Sequence, residues 1–301
     1  MAKSFTDLLN LAQKKGPKKI SVAVAEDIDV LGAVKEATEK GIAEPILVGD
    51  EKKIREIAKE LNFDLLNIEI INEKDGEKAC RKAVSLVSSG QAEVLMKGLI
   101  DTAVIMKQVL DKEIGLRTGK LISHVVVFSV PTYHKVLFVT DAAMNIAPSL
   151  DQKKEIIDNA VELAHSLDIE EPKVAVIGAK EKVSNKMEAT VHAKELENMN
   201  KRGEILGCVV EGPFALDNAI SKEAAIHKGV ESDMAGDVDI LLVPNIEAGN
   251  VLYKSLTYFA KAKSAGIIAG TKAPIVLTSR TDTKEAKLYS IALGVLRASK
   301  I

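Results

Sequence analysis

The sequence has no tryptophan, only four tyrosines and six phenylalanines, so aromatic residues make up 3% of its 301 positions. A core so poor in rings must be built from Val, Ile, Leu and Ala, as buried parallel strands covered by helices are. Cysteine is almost absent. Cys80 and Cys208 lie far apart and form no CxxC pair, and with five scattered histidines they exclude the usual structural zinc sites. A disulfide between them is the weaker reading beside two thiols. No charge of one sign dominates: 41 basic against 43 acidic residues give a formal net charge of −2. That argues against a nucleic-acid or anionic-membrane surface. No run comes near the roughly 18 consecutive apolar residues of a membrane helix, and residues 1–19 carry no long apolar h-region. The expectation is a cytoplasmic protein with neither a membrane nor a nucleic-acid partner.

What is present is ordinary in amount. Hydrophobic residues are 47% and charged residues 28%, which excludes a disordered or fibrous chain. The length exceeds one domain of usual size and predicts two α/β units. After a leading helix, strands over 18–25, 45–48, 68–71 and 93–96 alternate with helices over 30–40, 51–61 and 76–88. This is the rhythm of βαβ units and a parallel sheet. The pattern then changes. Strands over 121–130 and 135–139 are separated only by 131–134, which predicts an antiparallel hairpin. A helix over 150–167, a strand over 174–178, a helix over 189–202, strands over 205–210, 240–243 and 272–277, and a helix over 284–298 follow. There is no repeat and no Pro/Gly/Ser linker, so the chain is expected to cross between its domains more than once.

The missing motifs narrow the chemistry. No GxGxxG follows a strand, GLRTGK at 115–120 has neither the spacing nor the Ser/Thr of a P-loop, and there is no GxSxG elbow or HxxxD pair. Three segments do stand out: GCVVEGPFALDNAI at 207–220, VPNIEAGNVLYKS at 243–255 and APIVLTSRTD at 273–282. Each begins apolar and ends in small and polar residues, which in an open α/β sheet places them beyond the strand carboxyl ends, where ligands bind. Ser279-Arg280 is the sharpest, because a guanidinium fork past a buried strand suits a phosphate and a serine adds a donor. The competing reading is a helix cap at Thr281 or Thr283 beside a surface ion pair. Asp141 and Asn145 lie in a similar loop, DAAMNIAP, with ligand contact and loop bracing both open. Lys97-Gly98 with Asp101-Thr102 marks a strand-to-helix junction that attracts anions, or else a capped helix beside a solvated lysine. On its own His124 reads as a core histidine, and Cys208 as a buried inert thiol.

In combination, EGPFALDNAI, PNIEAGNVLYK and LTSR resemble the phosphate acetyl/butyryl transferase family. The resemblance covers nearly the whole chain and is densest over 207–295. It implies two α/β domains with a cleft between them, similar to the isocitrate and isopropylmalate dehydrogenases. One domain would hold residues 1–122 plus 273–301 and the other residues 123–272. It also implies a homodimer and reversible acyl transfer between phosphate and coenzyme A, with CoA as a substrate and no tightly bound cofactor. Carried over position by position, the catalytic pair falls on Ser279 and Arg280. Substrate contacts fall on Ser123, His124, Asp141, Asn145, Gly249 and Asn250, beside Lys97 and Thr102 from the junction above. His124 thereby moves from core filler towards substrate contact.

The departures carry information too. Glu211 and Glu247 stand where the acetyl branch usually has other residues, which leans towards the butyryl branch. The aspartate proposed there as the base for CoA falls on Ala286, with Glu285 adjacent and Asp282 near, so the general base is open. Cys208 has no evident partner base, which favours direct transfer in a ternary complex. Acetyl transfer is the alternative within the family. A metal- and NAD-dependent hydroxyacid dehydrogenase on a similar fold is the alternative outside it, with Asp233, Asp237 and Asp239 as its only candidate ligands.

Overall fold

The computed structural model describes residues 4–279 and 282–301. The chain divides into two compact units, Phe5–Lys120 with Ala265–Ile301 in one and Leu121–Ser264 in the other.

In the first unit the chain runs α1 (Phe5–Lys15), β1 (Lys18–Ala23), α2 (Ile28–Glu39), β2 (Ala43–Gly49), α3 (Glu51–Glu60), β3 (Glu69–Asn72), α4 (Gly76–Ser88), β4 (Val94–Lys97) and α5 (Thr102–Val109). Aspartates start three of these helices. Asp27, Asp50 and Asp75 accept from the backbone N–H groups of Val30, Lys52 and Lys78, satisfying donors that an α-helix leaves open. The strands lie in the order β3-β2-β1-β4, all parallel, with Ile20 opposite both Pro45 and Val94.

In the second unit come β5 (Ser123–Ser129), β6 (Leu137–Thr140), α6 (Leu150–Ser166), β7 (Lys173–Ile177), α7 (Glu188–Lys201), β8 (Val209–Phe214), α8 (Leu216–Ile220), α9 (Lys222–His227), β9 (Ile240–Leu242) and α10 (Ile246–Tyr258). The order is β5-β6-β9-β7-β8. The β5–β6 pair is the antiparallel hairpin that the short link predicts, and the other pairs are parallel. The core gathers Val126, Phe128, Val139, Phe214 and Leu241.

The chain then returns to the first unit with β10 (Lys263–Ala269), β11 (Ile275–Val276) and α11 (Lys284–Ala298). β11 is parallel to β4 and antiparallel to β10. Every residue of α11 from Lys287 to Leu296 is buried, as befits a helix that is apolar nearly all round. It lies close on the sheet because Gly294 has no side chain: a Cβ there would stand 3.0 Å from Val276 and 3.1 Å from Val94. The rings of Phe5 on α1 and Tyr289 on α11 stack at 4.3 Å.

Two expectations shift. The strand expected over 205–210 begins only at Val209, because Gly207 sits at φ +73°, a turn conformation, and then runs on through Pro213. A proline is tolerated there because β8 is the last strand of the order and pairs with β7 alone. The strand expected over 272–277 shortens to β11, and β10 was not foreseen. Ser264, Ala265 and Gly266 dilute the β-branched signal that would mark it.

Candidate active site

In the first unit, the carboxyl ends of the parallel strands β1, β4 and β11 open on a pocket of about 30 Å³. It is lined by Asp27, Val30, Lys97, Gly98, Leu99, Thr278, Ser279 and Lys287. Gly98 is there because nothing larger fits: its Cβ would stand 2.1 Å from the Val24 carbonyl oxygen, while its N–H donates to Ala23. Lys97 ends β4 with 4% of its surface exposed, and its Nζ donates to the carbonyls of Gly98 (3.2 Å) and Ile100 (3.0 Å). It is not the solvated lysine of the alternative reading. Ser279 and Asp282 close a turn in which the Ser279 N–H donates to Asp282 Oδ2 at 2.7 Å and the Asp282 N–H to the Ser279 carbonyl at 3.1 Å. Lys287, 3% exposed, donates from Nζ to the Asp282 carbonyl. The cap reading holds for Thr283, whose side chain accepts from the Ala286 N–H. Arg280 and Thr281 lie outside the described residues. Thr102 is the exposed first residue of α5 and does not line the pocket.

The second unit brings most of its expected residues together. The Asp141 carboxylate, 2% exposed, accepts from the N–H groups of Ala143, Met144 and Asn145 and from Asn145 Nδ2 at 2.6 Å. Asn145 Nδ2 also donates to the Ile122 carbonyl at 3.0 Å, which ties the loop after β6 to the entry of β5. Gly249 seats α10 against this loop, since a Cβ there would meet the Asp141 carbonyl oxygen at 2.7 Å. Ser123 is fully buried, and its hydroxyl accepts from Asn159 Nδ2 at 2.8 Å. The His124 carbonyl accepts from Thr140 Oγ1, and the side chain is 8% exposed. Asn250 follows on α10 and faces solvent. Loop bracing is thus real for Asp141 and Asn145, whatever else they do.

The thiols are unreactive. Burial pushes Cys208 up to about 12, helped by the charges of Asp158 and Glu171, and pushes Cys80 up to about 11 against the opposing charge of Lys97. Both cysteines are free. Two of the three acids of the dehydrogenase alternative are engaged elsewhere. Asp237 takes Lys173 at 2.6 Å, His134 at 2.7 Å and Lys135 at 3.1 Å, and Asp239 takes Lys135 at 2.7 Å. Among the described residues no cluster of His, Cys, Asp or Glu could hold a metal, and no helix is long and apolar enough to cross a membrane.

The family described as Phosphate acetyl/butaryl transferase matches residues 4–82 and 76–295. The chain belongs to that family. It is 54% identical over 300 residues to a phosphate butyryltransferase of Clostridium beijerinckii, covering 100% of this chain and 99% of the relative. It is 48% identical to a phosphate acetyltransferase of Thermotoga maritima, covering 97% and 98%. The crystal structure of a branched-chain phosphotransacylase from Enterococcus faecalis superimposes with a TM-score of 0.82 at 36% identity, covering 93% of this chain and 99% of the other. A 4-hydroxythreonine-4-phosphate dehydrogenase from Klebsiella pneumoniae, at TM-score 0.58 and 14% identity over 93% and 99%, shares the fold alone. The expected dehydrogenase-like α/β class is therefore met in an acyltransferase.

Sequence reasoning missed Asp27, Thr278 and Lys287 as pocket residues. Lys287 gave no clear signal, since it follows Lys284 and Glu285 at the charged start of its helix.

Proposed function

We propose that the protein converts butyryl-CoA and phosphate reversibly to butyryl phosphate and CoA. The observation that carries this reading is the end-to-end 54% identity to a phosphate butyryltransferase. Acetyl transfer is the second reading, favoured by the 48% identity to a phosphate acetyltransferase.

In the direction of thioester synthesis, the CoA sulfur attacks the carbonyl of butyryl phosphate. The C–S bond forms, the bond between the acyl carbon and the bridging phosphate oxygen breaks, and the thiol proton leaves with the phosphate. Negative charge grows first on the carbonyl oxygen and then on the departing phosphate, so the site needs donors for an oxyanion and cations for a phosphate. We assign Ser279 to the former and Arg280 with Lys97 to the latter. The small pocket at Ser279, with Lys97 buried in its wall, supports this. Thr102, Ser123, His124, Asp141, Asn145, Gly249 and Asn250 remain proposed substrate contacts. For the Asp141 loop the role we favour is to shape the surface that the substrate meets. A thiol near 12 at Cys208 supports direct transfer over an acyl-enzyme on that residue. Neither acid near Ala286 is idle: Asp282 accepts from the Ser279 backbone, and Glu285 accepts from the Tyr289 hydroxyl at 2.7 Å.

Two domains divided at 122 and 272 are supported by the compact units that change over at 120 and 264. A homodimer, a cytoplasmic location and the lack of a tightly bound cofactor complete the proposal.

The test is phosphate-dependent thiol release from acetyl-, propionyl-, butyryl- and valeryl-CoA. The expected result is a maximum at butyryl, with kcat/KM over acetyl-CoA at least about tenfold higher, because a methylene in an apolar pocket contributes about 1–3 kcal/mol. Arg280→Ala is expected to abolish that release while the circular dichroism stays unchanged. A maximum at acetyl would move the reading to the sister activity, and release without phosphate would end it.

A further inference from the structure

We propose that Lys287 is a phosphate-binding residue of this acyltransferase, which pairs with Lys97 to hold the tetrahedral oxyanion beside Ser279. The inference rests on the reading of the Ser279 pocket as the phosphate end of the site. Four observations carry it.

The first is convergence. Lys97 reaches the pocket from the end of β4 and Lys287 from the first turn of α11, so two amines from distant parts of the chain line one small space. The second is burial, at 4% and 3% exposed. A lysine is seldom buried unless something compensates it. The third is the lack of that compensation at Lys287. Among the described residues its Nζ bonds the Asp282 carbonyl and pairs with no carboxylate, which leaves donors for a ligand. Asp27 is the one acid in the pocket lining, and its Oδ1 is engaged by the Val30 N–H.

The fourth is size. A water needs about 10–15 Å³ of cavity, so a cavity of about 30 Å³ has room for two or three waters. That suits a single phosphate and is far too small for an adenine or a pantetheine arm. The same phosphoanion chemistry is present in the 3′-phosphate and pyrophosphate of CoA. The position beside Ser279, where acyl transfer is proposed, favours the phosphate that reacts.

The test is steady-state kinetics of Lys287→Met with each substrate varied in turn, together with thermal unfolding of the protein with and without inorganic phosphate. The expected result is a phosphate KM raised about tenfold or more, a butyryl-CoA KM within about threefold of the parent, and loss of the phosphate-induced rise in Tm. Lys287→Arg should recover part of the phosphate affinity. A structural role alone would lower Tm or kcat without separating the two KM values. An unchanged phosphate KM, or equal rises in both, overturns the proposal. A rise confined to butyryl-CoA also overturns it and assigns the amine to CoA phosphates. If Lys287→Met does not fold, Lys287→Arg decides alone, and its phosphate KM must rise several-fold more than its butyryl-CoA KM. Ser279→Ala and Lys97→Met separate this inference from the reading beneath it. If they too leave phosphate-dependent turnover intact, the site is elsewhere. If they impair it and Lys287→Met does not, only the role of Lys287 falls.

Discussion

Two buried lysines, Lys135 in the second unit and Lys287 in the first, are treated in opposite ways. In the second unit Lys135, with 9% of its side chain exposed, meets Asp239 at 2.7 Å and Asp237 at 3.1 Å, and Asp237 is shared with Lys173 and His134. Asp239 is itself buried and also accepts from the Lys173 N–H. Charge is matched inside the protein, and nothing is left to recruit. In the first unit Lys287 is buried as deeply but has a backbone carbonyl where Lys135 has carboxylates. The same residue type is therefore scaffold in one place and an open binding group in the other. The partner, not the burial, decides which.

Removing an acid from the matched cluster should have the largest effect. Asp239→Asn leaves Lys135 with the Asp237 carboxylate at 3.1 Å and the Asp237 carbonyl at 2.8 Å. Since breaking a buried pair costs about 3–5 kcal/mol, and Asp237 retains some of it, a loss of about 2–3 kcal/mol is expected in urea unfolding at neutral pH. The phosphate KM should not move. A loss below about 1 kcal/mol would mean that the cluster is no scaffold.

Asp237→Asn should be milder and should depend on pH. Burial raises the Asp237 carboxyl, but its hydrogen bonds to Lys173, His134 and Lys135 outweigh this and hold it well below the ordinary value of 3.8. A carboxyl depressed in the folded state contributes stability that is fully present above its unfolded pKa and is lost as pH falls through the folded one. The parent should thus exceed Asp237→Asn by a constant margin above about pH 4, and the margin should shrink in stronger acid. Because the side chain is 44% exposed, water screens the pairs and the margin should be about 1 kcal/mol or less. A margin that grew in acid would contradict the assignment.

The smallest effect on stability is expected from the open lysine itself. Lys287→Met removes one hydrogen bond and one uncompensated amine, and these changes oppose each other. The unfolding free energy should stay within about 1 kcal/mol of the parent. A loss as large as that of Asp239→Asn would erase the distinction between the two regions.

Much of this architecture was legible in the residues. The helices over 76–88 and 284–298 begin and end where they were expected, because an aspartate and a threonine cap their starts and apolar spacing carries them through. The β5–β6 hairpin could be read from the short stretch, residues 131–134, between the two expected strands. Short or diluted elements could not: β10 carries Ser, Ala and Gly, and β11 is only two residues long. Among the candidate residues, Lys97 and Ser279 in the first unit and Asp141 and Gly249 in the second could be read from segments at strand ends. Lys287 could not, because a lysine on a helix reads as solvated until the packing shows which face it occupies. Thr102 lies at the same junction as Lys97 but is exposed and does not line the pocket. The bracing role of Asp141 was equally hidden, since a carboxylate that accepts four hydrogen bonds from its own loop looks, in sequence, like any other loop aspartate.

The close seating of α11 on β4 and β11 has a kinetic side. Asp27 and Lys287 are separated by nearly the whole chain, and the stretch from Leu121 to Ser264 lies between β4 and the returning β11 and α11. Loop-closure entropy grows only slowly with such separation, but contacts of this range form late. Until then β4 offers a bare edge, the kind of surface on which unfinished chains stick to one another. The first unit is therefore assembled from both ends of the sequence, and the pocket at Ser279 is complete only once the last helix has docked.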